Sequence, residues 1–374
     1  MIKRRIFTSI KENLFKGKVI IIYGPRQSGK TTLLNEIKDS LTENILMLDG
    51  DEPDTRQKLT NVTSSQLKTF FSGFDVVMID EAQRIENIGL TIKLIADKIK
   101  NIQLIATGSS SFELANKIME PLTGRKIEYH LFPFSISELK SEHGETEEKR
   151  QLENRLIYGM YPEVVTNPGN AYQTLKSLTT SYLYKDILAY NDLRKPELFS
   201  LLLEALALQV GSEVSFHELG QIVHADPVTI ERYIYMLEQA FVIFRLRALS
   251  RNVRNELKKS RKIYFTDNGV RNAIIANFSP LNLRTDKGAL WENFLVCERY
   301  KVLHQYNLFV NTWFWRTTQQ QEIDYLEEKD GHLFAWEFKI NPLKKGRLPK
   351  TFSAAYPNHS FDTITPENYF SFLE

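Results

Sequence analysis

The sequence predicts an α/β fold: a parallel sheet wrapped by helices, then a mostly helical region, then a second mixed α and β region. Three observations carry this. Short apolar, β-branched runs recur through the first 140 or so residues with helical segments between them, the alternation of a parallel sheet with crossover helices. The first such run, residues 18–23, ends in a glycine-rich turn that opens a helix. From about residue 150 the pattern turns helical, and beyond about 255 strand and helix patterns mix again. At 374 residues the chain is too long for one ordinary core, and the expected divisions are 1–145, 146–254 and 255–374.

In the first region, residues 18–23 have the composition of a strand buried on both faces, and runs of the same type lie at 45–49, 76–80 and 103–107. Segments 31–40 and 88–100 have helical spacing. Ligands of such sheets sit beyond the carboxyl ends of the strands, and the chemistry-bearing residues fall there. Gly24, Pro25, Arg26, Gln27, Ser28, Gly29, Lys30 and Thr31 match G-x-x-x-x-G-K-[ST] and run on into Thr32, directly after a strand and before a helix. Glycines let the backbone wrap phosphates, whose charge then faces successive N–H groups and the helix N-terminus. Lys30 is expected to reach the β- and γ-phosphates of ATP, and the Thr31 hydroxyl to bind Mg²⁺.

The run 76–80 ends in Asp80 and Glu81, about fifty residues beyond the glycine-rich turn. Asp80 is placed to hold the Mg²⁺ shell and Glu81 to polarise the attacking water. Thr107 and Ser109 end the next strand, where a hydroxyl senses the γ-phosphate or merely closes a turn. Arg125 reads equally as an arginine finger supplied across a subunit interface or as a surface arginine.

Bulk properties exclude several classes. Hydrophobic residues at 42% and charged residues at 25% fit a soluble globular chain, and a net charge of +2 gives no overall attraction to nucleic acid. One cysteine, Cys297, excludes a disulfide framework and a cysteine-based zinc site. No apolar run approaches the roughly 18–20 residues of a membrane helix, and the N-terminus lacks a signal peptide's apolar core. The expectation is a cytoplasmic protein.

Residues 141–155 are charged and read as a loop or exposed helix. Residues 198–210 suit a buried helix. Segments 215–223 and 228–240 flank a short break, suggesting a helix-turn-helix, with 241–246 as a strand that makes it winged. Arg245, Arg247, Arg251, Arg254, Lys258, Lys259, Arg261 and Lys262 follow, opposed only by Glu256. They read as a DNA-phosphate stripe or as a solvated linker face, and Lys344, Lys345, Arg347 and Lys350 form a smaller cluster. His217 and His224 read as structural or surface residues.

Together, Gly-Pro-Arg-Gln-Ser-Gly-Lys-Thr-Thr-Leu, Ile-Asp-Glu-Ala-Gln, Thr-Gly-Ser-Ser-Ser, Leu-Thr-Gly-Arg-Lys, Leu-Phe-Pro-Phe-Ser and Lys262-Ile-Tyr-Phe-Thr-Asp267-Asn-Gly resemble a family of AAA-type ATPases of bacteria and archaea. Its members carry a C-terminal domain of formerly unknown function. The resemblance spans nearly the full chain and implies a P-loop ATPase sheet, a winged-helix middle domain and a nuclease-like C-terminal α/β domain.

In the third region, residues 291–303 look helical and 309–315, 322–327 and 333–339 look like strands. Asp324 at a strand start and Glu337-Phe-Lys339 on the next strand resemble the PD-(D/E)xK nuclease signature. Strand period two puts Glu337 and Lys339 on one face. Asp324 and Glu337 would bind Mg²⁺, Lys339 would orient water, and Glu292 would be a fourth member. The other reading is a fold that kept its shape without its activity, or two unrelated strands with solvent charges. The leading expectation is an oligomeric, ATP-driven protein acting on branched or broken DNA. The alternative is a nucleotide-controlled switch that binds a protein partner and cuts nothing, and a third is an ATP-gated defence nuclease.

Overall fold

The computed structural model describes residues 2–108, 122, 124–183, 196–249 and 261–373. The chain divides into two compact units, residues 1–134 with 239–241, and residues 135–238 with 242–374.

The first unit is built on strands β1 (Val19–Tyr23), β2 (Ile45–Asp49), β3 (Val76–Asp80), β4 (Gln103–Gly108) and β5 (Lys126–His130). Their order is β2-β3-β4-β1-β5, and every pairing is parallel. β1, β3 and β4 are buried along their whole length, as their unbroken apolar runs require. β5 escapes sequence reading because Lys-Ile-Glu-Tyr-His alternates polar and apolar side chains at a sheet edge. The helices Ile6–Asn13 and Lys30–Asp39 press Ile6, Ile10, Leu33, Leu34 and Ile37 onto Ile20, Ile22, Val76, Met78 and Ile105. Each such side chain contributes about 1.5–3 kcal/mol by leaving water.

The second unit holds one seven-stranded sheet in the order β12-β11-β10-β9-β7-β8-β6. Its strands are β6 (Glu213–Val214), β7 (Ile243–Ala248), β8 (Arg261–Phe265), β9 (Asn311–Arg316), β10 (Glu322–Lys329), β11 (His332–Phe338) and β12 (His359–Ile364). The division expected at residue 254 therefore separates β7 from β8, which pair in one sheet. β7 pairs antiparallel with β8 and parallel with β9, through Arg247↔Trp313 and Ala248↔Phe314, and Leu249 N donates to Phe314 O at 2.7 Å. The expected pair of short helices is Phe216–Val223 and Pro227–Gln239, separated at His224, whose φ is +56°.

Residues 141–155 are helical and mostly exposed, as expected, except at Glu148 and Arg155, which turn inward. Glu148, fully buried, accepts from Arg155 Nε and Nη2 at 2.9 Å each and lies 2.6 Å from His143 Nδ1. Its helix, Glu145–Arg150, sits between Ile136–His143 and Leu152–Tyr158.

A buried polar network organises this unit. Asp267 caps the Asn268–Ile274 helix, accepting from Val270 N at 3.1 Å and from Met160 N at 2.7 Å. Asn293 bonds both N and O of Phe265 and the Asn268 amide oxygen. Asn272 donates to the Leu156 and Ile157 carbonyls. Gly159, at φ +71°, lies so close that a Cβ would stand 2.0 Å from Asp267 Oδ1. At the rim, Arg271 and Arg284 both donate to Asp286.

Burial alone would raise the Asp286 carboxyl, but Arg284 and Arg271 hold it down, from 3.8 to about 2. A depressed carboxyl stabilises the fold above its unfolded value, and the contribution fades as pH falls through about 2. The Asp286→Asn protein is thus expected to unfold at lower urea than wild type at pH 6, with the gap closing toward pH 2. A gap that stays constant with pH would show that the arginines do not act through this charge.

Candidate nucleotide site and acidic cluster

β1 delivers the chain to Gly24, and the Lys30–Asp39 helix starts from Gly29, whose φ of +93° a side-chain-bearing residue resists. No side chain caps this helix, so its first N–H groups stay open to an anion. Within the loop the Ser28 hydroxyl is fully buried and makes no hydrogen bond. The Lys30 ammonium is held by the carbonyls of Gly24 (3.1 Å) and Pro25 (3.0 Å) and lies 3.9 Å from Glu81 Oε1. These groups form a cradle with cationic and N–H lining, which suits a polyphosphate.

Because β4 lies between β1 and β3, three strand ends converge. Thr31 Oγ1 donates to Asp80 Oδ2 at 2.5 Å, and Thr107 Oγ1 donates to Asp80 Oδ1. The Glu81 N–H reaches Thr107 Oγ1 at 3.2 Å and Asp80 Oδ1 at 3.1 Å. Those contacts hold Glu81 in a left-handed conformation, φ +47°, a backbone state that costs a non-glycine residue about 1 kcal/mol or more. Its carboxylate, 22% exposed, accepts from Gln83 Nε2 at 2.6 Å. Thr31 and Asp80 offer the hard oxygen atoms that Mg²⁺ prefers.

Lys30, Thr31, Asp80, Glu81 and Thr107 thus meet at one place. Ser109 lies outside the described residues. Arg125 is not brought to the site: it precedes β5, whose Lys126 pairs with Val19, so it stands at the opposite end of the sheet and ion-pairs with Asp97 at 2.6 Å. Two groups escaped sequence reading. Gln83 orients Glu81, and Arg4, 7% exposed, donates to the Ser28 carbonyl at 3.1 Å and to Phe132 O, bracing the loop from behind. Arg4 sits in a charged N-terminal run that carries no signal of burial.

In the second unit, Glu292, Asp324, Glu337 and Lys339 do share one cluster. Lys339 Nζ donates to Glu337 Oε1 at 2.6 Å, the same-face relation that strand period implies. Asp324 Oδ2 accepts from Phe338 N at 2.7 Å. Burial, then the neighbouring Glu292 and Glu337, push the Asp324 carboxyl well above the usual range. Yet Lys262, read as part of a surface stripe, is 2% exposed and reaches into the same cluster. Among the described residues no group of three His, Cys, Asp or Glu is disposed to hold a metal ion.

Among the other described residues of the basic stripe, Arg245 and Arg261 are half-buried and ion-paired. Arg245 forks onto both Glu238 oxygens, and Arg261 pairs with Glu231 at 3.7 Å and stacks over Phe216. Arg247 is exposed, as are Lys344, Lys345, Arg347 and Lys350. Arg251, Arg254, Lys258 and Lys259 lie outside the described residues. No described helix is long and apolar enough to cross a membrane.

Residues 16–140 match a family model described as an AAA domain. That match takes in the glycine-rich turn and all five strands of the first unit. Residues 149–282 and 287–367 match two different models, each described as a domain of unknown function. The chain is similar to an uncharacterized protein of Mycobacterium tuberculosis, 26% identical over 345 residues, covering 90% of this chain and 74% of that one. A second, from Haemophilus influenzae, is 26% identical over 277 residues, covering 67% of this chain and 68% of the relative. A Walker-type ATPase of Pyrococcus abyssi aligns over 74% of this chain and 96% of its own at 18% identity, with a TM-score of 0.47, too loose to argue from.

Proposed function

We propose that this AAA-type domain hydrolyses ATP with Mg²⁺. The observation that carries the reading is Asp80, gripped on one oxygen by the hydroxyl after the P-loop lysine and on the other by the hydroxyl ending β4. Lys30 and the helix N–H groups bind the phosphates. Thr31 and Asp80 would hold Mg²⁺, which when bound draws charge from the phosphate oxygens. Glu81, fixed by its own N–H and by Gln83, takes the proton of the attacking water. Lys30→Ala is expected to weaken ATP binding, measured by calorimetry, about 10- to 100-fold, the loss of a charge-assisted contact of about 1.5–3 kcal/mol. Unchanged affinity would sink the assignment.

Between the two cellular readings, a protein partner is better supported than DNA. Arg245, Arg261 and Lys262 spend their charge on Glu238, Glu231, Glu292 and Glu322. The exposed side of the Pro227–Gln239 helix offers Val228, Glu231, Arg232 and Tyr235, with a single cation. Phosphate recognition needs several free cations, and among the described residues of the 245–262 stripe only Arg247 is exposed. Steady-state hydrolysis is accordingly expected to be indifferent to single-stranded, duplex and four-way-junction DNA. Salt-sensitive stimulation by any one of them would reverse the preference.

A further inference from the structure

The carboxylates Glu292, Glu322, Asp324 and Glu337 have the composition of a divalent metal site, and the question is what neutralises them. Lys262 enters from β8 with its side chain 2% exposed. Its ammonium is 2.8 Å from Glu292 Oε1 and 2.5 Å from Glu322 Oε1, and lies 5.4 Å from the centre of the Phe314 ring. Tyr264, two residues on and so on the same face of β8, donates to the same Glu292 oxygen at 2.7 Å. Burial alone would lower the Lys262 pKa, but Glu292, Asp324 and Glu322 more than offset it, so the side chain stays charged.

We propose that the Lys262 ammonium is the resident cation of this cluster, holding its carboxylates together in place of a divalent metal. Each carboxylate already has a donor from this chain: Lys262 and Tyr264 on Glu292, Lys262 on Glu322, the Phe338 N–H on Asp324, and Lys339 on Glu337. Mg²⁺ demands near-octahedral oxygen at about 2.0–2.1 Å, whereas an ammonium is satisfied by hydrogen bonds of the length found here. Charge counting agrees. Lys262, Lys339 and Arg316, the last 3.7 Å from Glu322, put three cations against four carboxylates, one of which, Asp324, its surroundings push toward the neutral form, so a divalent ion would overcompensate. The cluster is then a clasp joining β8, the Lys287–Gln305 helix and β10, and no metal-activated water arises in it.

The test is a Mn²⁺ titration of the nucleotide-free full chain, with free ion followed by electron paramagnetic resonance. Wild type and the Glu292→Gln/Asp324→Asn protein are expected to give the same curve, since any ion held at Thr31 and Asp80 is common to both. A Mn²⁺ ion that wild type binds and the double variant loses would overturn the proposal. Lys262→Met is expected to gain one Mn²⁺ and a thermal transition that Mn²⁺ raises by about 5 °C or more, while that of wild type stays put. A folded Lys262→Met protein that gains no ion would equally overturn it. Should Lys262→Met fold only when Mn²⁺ is added, the ion has replaced the ammonium. Should it not fold at all, the comparison of wild type with the double variant decides.

Discussion

Glu81→Gln is expected to lower kcat for ATP by about 10²–10³ while ATP binding persists, a loss of about 3–4 kcal/mol of transition-state stabilisation. The amide nearly matches the carboxylate in size, so the cradle formed by Gly29, Lys30 and Thr31 is untouched. What disappears is the group proposed to accept the proton of the attacking water. The geometry explains why no neighbour substitutes. Asp80 has both oxygens engaged by Thr31 and Thr107, and Gln83 carries no charge. Single-turnover hydrolysis measured beside equilibrium ATP binding separates the effects: a fall in affinity with unchanged turnover would place Glu81 in binding. A turnover within about threefold of wild type would remove it from the chemistry altogether.

The second large effect is on stability. Asp267→Ala is expected to cost the second unit about 3–5 kcal/mol, the range for breaking a buried, hydrogen-bonded charge. Three losses combine. The Met160 N–H, in a residue 3% exposed, is left without its acceptor. The Asn268–Ile274 helix loses its cap, about 1 kcal/mol. Lys301, fully buried, keeps Glu298 at 2.7 Å but loses the field of Asp267. For a unit of this size the melting temperature should fall by about 10 °C or more, followed by calorimetry or circular dichroism. ATP affinity, a property of the first unit, serves as the control. A fall under about 2 °C would show that Asp267 is dispensable to the network.

The nucleotide site was legible because its parts are local. A strand, a glycine turn and a helix start are contiguous, and Asp80 announces itself as the acid ending an apolar run. The second half of the chain was legible only element by element. The sequence pattern finds β7 and β9 separately, but which strand pairs with which across more than sixty residues is a tertiary choice. Buried charges were the other blind spot. Lys262 is one of eight basic residues between 245 and 262, and nothing in composition marks it as the one facing Glu292 and Glu322 instead of solvent. Glu148 with Arg155, and Arg4 behind Ser28, are hidden for the same reason: a charge's burial depends on a partner folded against it.

The seam between β7 and β9 bears on how such a chain can be inherited. The segments matched by separate models, 149–282 and 287–367, look like two exchangeable modules. Yet β7 in the first and β9 in the second are neighbours in one sheet, and Lys262 of the first is bound by Glu292 and Glu322 of the second. Recombination between them would leave two naked strand edges, prone to self-association, and an acidic pocket without its cation. Selection should therefore pass the two segments on together, as a single heritable piece.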